Sequence, residues 1–186
     1  MGEKRSKLEE ALLQGIYGKK ELKRMERNHY LGEYEERVTR YLTRKQVLEK
    51  GNYPEILAAI KHPAARTLIV DRKIELSAAN DYIKTALENG LQYKRVDSPD
   101  FVGDVGLVVV SDQAVEVEER KVLSRKERLK EKGISDTIIE NPGARLCEQC
   151  WQELTEKAPE ELNNYRRLSF VDRMLGIKCL CKENEK

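Results

Sequence analysis

The run Gly106-Leu107-Val108-Val109-Val110 carries no polar side chain at any position. Side chains along a strand alternate between faces, so such a strand needs cover on both sides. It reads as the central strand of a sheet inside a layered domain, ended by Ser111-Asp112. The rest of the chain must supply its neighbours and its covering helices. Apolar residues make up 39% of the 186 and charged residues 37%, below and well above the globular averages respectively. A packed core is therefore expected over part of the chain, with solvated helix, turn or tail elsewhere. The length suits one domain with an extension or a small satellite.

Upstream, Pro54 sits where a helix can begin, Ile56, Leu57 and Ile60 give its apolar face, and His62-Pro63 ends it. Thr67-Leu68-Ile69-Val70 predicts a short buried strand, with Ile74-Glu75-Leu76 extending or pairing it. Ser77 is read as the N-cap of a helix whose buried face is Ala79, Ile83, Ala86 and Leu87, stopped by a left-handed Gly90. Leu91 to Val96 alternates as a strand. Residues 33–48 fit two templates. Tyr34, Val38, Tyr41 and Leu42 suit a helical stripe, whereas Val38, Arg40 and Leu42 suit one face of a strand.

Near the start, Gln14-Gly15-Ile16-Tyr17-Gly18 is followed by Glu26-Arg27, Tyr30-Leu31-Gly32 and Glu35-Glu36-Arg37-Val38. This pattern resembles the YueI-like family of small bacterial cytosolic proteins, over roughly residues 8–125. The resemblance makes residues 37–43 a strand with a helical turn at 45–48. It implies an α/β (α+β) fold, with a mixed four-stranded sheet in β-α-β-α-β-β order. That order is similar to the chorismate-mutase-like class, shared with ribosomal proteins that bind kink-turn RNA. The expected organisation is an irregular basic arm over 1–32, an α/β domain with a trailing charged helix over 33–132, a linker over 133–143, and a small, mainly helical cysteine module over 144–186. The trailing helix, 115–132, has a seam of Val115, Val122 and Leu129 and a weak Glu116–Arg120 pair.

All four cysteines follow the linker, as Cys147-Glu148-Gln149-Cys150 and Cys179-Leu180-Cys181. Two residues between cysteines let both sulfurs face one point, as a tetrahedral ion bound by thiolates at about 2.3 Å requires. The 28 residues between the pairs read as a folded helical hairpin. Pro159 opens one helix, and Ser169 and Asp172 form a capping box before Met174-Leu175, with Gly176 as the stop. Structural zinc on Cys147, Cys150, Cys179 and Cys181 is the leading reading. Redox chemistry is the second, since a Cys-x-x-Cys opening a helix can lower a thiol pKa. Part-buried reduced thiols are the plain third. A segment of about 45 residues buries too little apolar surface to fold alone, so zinc would have a purpose. Its expected cluster is Trp151, Leu154, Leu162, Tyr165, Phe170, Val171, Leu175 and Ile177. The same residues could instead dock on the main domain.

Little in the chain points to catalysis. The two histidines, His29 and His62, read as surface or capping groups, and Gly103-Asp104-Val105-Gly106 precedes a strand, the wrong context for a phosphate cradle. Asp71, Asp97, Asp100, Asp104 and Asp112 read as solvated loop carboxylates. No catalytic residue is assigned. The net charge is +2, so polyanion binding needs a local patch, and Lys19, Lys20, Lys23, Arg24 and Arg27 are the candidate nucleic-acid contacts. The charged start and the absence of a long apolar run predict a cytoplasmic protein with no membrane partner. The expected function is non-enzymatic binding, with RNA or a ribonucleoprotein as partner by fold analogy. One alternative is a small-ligand or catalytic pocket with converging Arg37, Arg40 or Arg95. Another is a protein-interaction adaptor using Trp151 or the charged helix.

Overall fold

The structure is a computed structural model and describes Gly15, residues 21–117 and residues 119–183. The chain divides into two compact units, Met1–Glu49 with Glu55–Val122, and Lys50–Pro54 with Leu123–Lys186.

The first unit is a mixed sheet in the order β1-β4-β2-β3. Its strands are β1 (Val38–Thr43), β2 (Ala65–Asp71), β3 (Gln92–Val96) and β4 (Val105–Ser111). β4 runs antiparallel to β1 and β2, and β2 runs parallel to β3. All seven residues of β4 are buried, as its uninterrupted apolar run demands. Gly106 has a separate reason. A Cβ there would lie 2.8 Å from the Arg44 Cα and 2.6 Å from Ile74 Cδ1, so only glycine admits this approach.

The ambiguous segment 33–48 is a strand followed by a helix. A capping box makes the switch: the Thr43 hydroxyl accepts from the Gln46 N–H, and Gln46 Oε1 accepts from the Thr43 N–H at 2.8 Å. α2 (Arg44–Leu48) follows, then α3 (Pro54–Lys61) and α4 (Leu76–Glu88). α2 packs on β4, and α4 on β2 and β3. Two expectations fail at α4. Ile74 turns inward and Leu76 is already helical, so 74–76 is no strand, and the N-cap is Glu75, not Ser77. The buried face centres on Ala79, Tyr82 and Ala86, with Leu87 exposed. Gly90 does stop the helix, at φ 76°.

Of the arm expected over 1–32, residues 21–29 form a helix, α1, and residues 1–14 and 16–20 lie outside the described residues. Beyond it Leu31 (φ 54°) and Gly32 (φ 96°) reverse the chain. A left-handed leucine is costly. Burial offsets it, since Tyr30 and Leu31 pack with Ile69, Val108 and Val110 on one face of the sheet.

The second unit contains α5 (Arg125–Glu131), α6 (Asp136–Ile139), α7 (Glu148–Lys157), a 3-10 segment (Pro159–Asn164), α8 (Phe170–Met174) and α9 (Leu180–Glu183), with β5 (Arg145–Leu146) parallel to β6 (Arg166–Arg167). The long charged helix expected over 115–132 is absent. Described residues between 112 and 124 are non-helical, and helix begins only at Arg125. Its supposed seam falls apart because Val122 bonds to β1 through the Tyr41 carbonyl while Leu129 enters the core of the second unit. Arg120 does not pair with Glu116; it donates to the Glu35 carbonyl at 2.8 Å.

Segment 133–143, expected as a linker, supplies core instead: Ile134, Ile138 and Ile139 are buried with Leu129, Leu146, Leu154, Ala158 and Tyr165. Phe170, Val171 and Leu175, expected in that cluster, are exposed. A buried polar network crosses this core. Arg125 Nε donates to Glu161 Oε2 at 2.9 Å, its Nη1 to the Ile139 carbonyl at 2.8 Å and its Nη2 to Tyr165 Oη at 2.6 Å. Arg128 reaches the other Glu161 oxygen. Asn164 donates to Glu161 and to the Asn52 carbonyl, and the Arg125 N–H donates to Tyr53 Oη. The Arg125 and Glu161 side chains are 4% and 0% exposed.

Removing one member of such a pair leaves a buried charge unpartnered. Glu161→Ala is expected to destabilise the second unit by about 3–5 kcal/mol. Urea unfolding followed by Trp151, the one tryptophan of the chain, reads this unit alone. An unchanged midpoint would contradict the network's role.

Candidate metal centre

Cys147 is the N-cap of α7 and Cys150 lies in its first turn; Cys181 lies on α9, with Cys179 just before it. An N-cap residue keeps an extended backbone while its side chain faces the first turn. Cys147 is therefore aimed at the same point as Cys150. The capping box at Ser169–Asp172 forms as the sequence predicts, and Gly176 (φ 75°) ends α8. That turn returns the chain, so Leu180 packs against the same core as Cys147 and Cys150.

The four Sγ atoms lie within 4.8 Å of one another. Cys147 and Cys181 are 3.6 Å apart, Cys150 and Cys179 3.8 Å. Tetrahedral zinc with sulfur at about 2.3 Å has S···S edges of about 3.8 Å. Disulfide sulfurs would stand about 2.05 Å apart. The donor set therefore fits a tetrathiolate zinc centre. Cys179 is buried, Cys147 and Cys150 are half-buried and Cys181 is exposed. Cys179 Sγ also accepts from the Cys147 N–H at 3.1 Å.

Without a metal the four groups oppose one another. Burial raises Cys147, but the Cys150 N–H and the surrounding thiols outweigh it and bring it down to about 7. Cys150 is driven far up, first by burial and then by its sulfur neighbours. Cys181 is raised to about 11 for the same reasons. One site accepts charge and its neighbours then resist, the pattern a cation relieves.

The described cations of the arm are exposed and make local contacts. Lys19 and Lys20 lie outside the described residues. The Lys23 ammonium and Arg27 guanidinium sit over the Tyr34 ring at 5.8 and 5.3 Å, and Arg24 pairs with Asp100 at 3.8 Å. Arg27 also donates to the Gly32 carbonyl at 3.1 Å, and Glu26 accepts from the Glu35 N–H at 2.7 Å. Glu26-Arg27, Tyr30-Leu31-Gly32 and Glu35 thus form one local lock at the chain reversal.

No arginine pocket forms from the three considered. Arg40 and Arg95 belong to β1 and β3, the opposite edges of the sheet. Each donates to backbone carbonyls, Arg40 to Thr39 and Glu119, Arg95 to Arg72 and Ile74. Asp71 is not a solvated loop carboxylate: it is buried and bonded to Arg44 Nε at 2.5 Å. The polar network around Glu161 was also missed, since the Glu160-Glu161 pair in a short 3-10 segment reads as solvated. His62 does cap, its Nδ1 accepting from the Ala64 N–H at 3.2 Å. No helix among the described residues is long and apolar enough to cross a membrane.

Comparison with known proteins places the first unit. The profile of the family described as "Protein of unknown function (DUF1694)" matches residues 5–121. The uncharacterized protein YueI of Bacillus subtilis is 34% identical over 109 residues, covering 59% of this chain and 83% of that one. The crystal structure of the YueI protein from Bacillus subtilis superposes with a TM-score of 0.53 at 32% identity, covering 63% of this chain and 91% of that one. The family match stops before Val122, where the first unit ends, so the four cysteines lie outside it. Over its first unit, this chain belongs to the DUF1694, YueI-like family.

Proposed function

We propose that the protein is a non-enzymatic cytosolic binding protein, in which a DUF1694 domain carries a C-terminal module closed by structural zinc on Cys147, Cys150, Cys179 and Cys181. One observation supports this above the others: two cysteine pairs separated by 28 residues bring four sulfurs within 4.8 Å. Four protein thiolates fill a tetrahedral ion and leave no open position, the arrangement of structural sites and not of catalytic ones. Sulfur spacings near a zinc edge also favour a ligand set over a redox pair. RNA or a ribonucleoprotein is the partner class that fold analogy suggests. For the arm to contact phosphates, Lys23, Arg24 and Arg27 would have to leave Tyr34 and Asp100.

Elemental analysis of protein purified without chelator is expected to give one zinc per chain. Replacing Cys147 and Cys150 by serine should reduce it to background. Chelation should shift Trp151 emission to the red as α7 loses its anchor. Metal-free wild-type protein would reject the site.

The metal-free chain offers a pH test. Thiolate is the reacting species, and Cys147 is lowered to about 7 while Cys181 is raised to about 11. Iodoacetamide should therefore label Cys147 before the more exposed Cys181. Labelling should plateau above pH 7 and fall about tenfold per unit below it. Peptide mapping that finds Cys181 modified first would contradict this electrostatic reading.

A further inference from the structure

α8 turns its apolar side chains outward. Phe170, Val171, Met174 and Leu175 are 74, 61, 74 and 73% exposed. Their spacing, i, i+1, i+4 and i+5, puts them on one side of a single turn. The turn is fixed from beneath by the Ser169–Asp172 capping box, and Asp172 pairs with Arg145 at 3.2 Å. An apolar face held out this way marks an interaction surface.

Charge identifies what it meets. Most described cations of the second unit sit on a carboxylate, from Arg125 on Glu161 to Arg167 on Glu148. Among the described residues of that unit, Lys50, Arg166, Arg173 and Lys178 have no ion pair within 4.0 Å. Arg166 and Lys178 flank α8, Arg173 lies on it, and all three are exposed. Two shallow grooves, of about 320 and 630 Å³, are lined by Arg145, Arg166 and Lys178 and by Arg173, Lys178 and Glu148, the last already bonded to Arg167. None of the four apolar side chains lines either groove.

The partner must therefore offer negative charge to the recesses and an apolar phase to the projecting face. A partner helix would need its apolar contacts inside a groove. Nucleic acid would meet the cations and Phe170, but nothing in it rewards three exposed aliphatic side chains. An anionic bilayer supplies both phases. We propose that α8 is a membrane-surface anchor: Phe170, Val171, Met174 and Leu175 enter the interface of an anionic lipid bilayer, while Arg166, Arg173 and Lys178 meet lipid phosphates. The attachment is peripheral and reversible, and no helix among the described residues is long and apolar enough to cross the membrane. It goes beyond the zinc reading and rests on it for the closed tail, since one groove is lined by Cys147 and Cys179, while the cap and the Arg145–Asp172 pair hold α8 itself.

The test is co-sedimentation of the full-length chain with phosphatidylcholine vesicles, with and without phosphatidylglycerol. Binding should be about tenfold or more tighter to the anionic vesicles and weaken with added salt. Replacing Phe170 and Met174 by serine should abolish it at unchanged zinc content and circular dichroism. Replacing Arg166, Arg173 and Lys178 by glutamine should reduce it to the neutral-vesicle level. A Phe170→Trp chain, read against the Trp151 signal of the wild type, should gain blue-shifted emission that brominated lipid quenches; this covers the case of a misfolded serine variant. Failure of the wild type to bind, or anionic binding indifferent to Phe170 and Met174, would overturn the proposal. So would a dimer dissolved by the same substitutions, or capture of single-stranded RNA by the three cations in preference to vesicles.

Discussion

Four sulfur atoms within 4.8 Å of one another cannot all carry charge unless a cation sits among them. Two thiolates 3.8 Å apart repel by about 4 kcal/mol even at an effective dielectric of about 20. The metal-free chain settles this by ionising one position easily and resisting at its neighbours. A divalent ion would reverse each of those penalties at once, and folding of the tail and binding of the metal would then be one equilibrium.

The second unit needs that help. At about seventy residues, its core lies at the lower limit of what apolar burial sustains. Two devices divide the task. Arg125 and Glu161 tie α5, the 3-10 segment and the 50–54 excursion together, and satisfied buried charges specify one arrangement at little net gain. The sulfurs close the opposite end, where Leu180 and Trp151 are only partly covered. The first unit has no such requirement, since β4 is buried on both faces and the chain reversal at Leu31-Gly32 covers one of them.

Much of the first unit was legible because its signals are local. An all-apolar β4, a proline-led α3 and a glycine-stopped α4 each follow from a few adjacent residues. The cysteine centre was legible for the same reason, through its spacing and the Ser169–Asp172 box. What failed depended on distant partners. Seven-residue spacing of Val115, Val122 and Leu129 suggested a helix, but the chain gains more by bonding to the edge of β1 before α5 starts. Ile134, Ile138 and Ile139 looked like linker because glycine and proline flank them, yet they fill the core that Phe170 and Leu175 were expected to fill. Segment composition does not reveal which apolar residues a neighbouring element will cover. The arm shows the converse: its described lysine and arginines, read as free cations, also contact Tyr34, Asp100 and Gly32 while staying exposed.

The central claim, that sulfur alone closes the tail around an ion, is tested most directly by X-ray absorption at the zinc edge of the full-length protein. The account predicts a single shell of four sulfur scatterers at about 2.3 Å. A shell containing nitrogen or oxygen ligands, or two sulfurs where four are required, would contradict it.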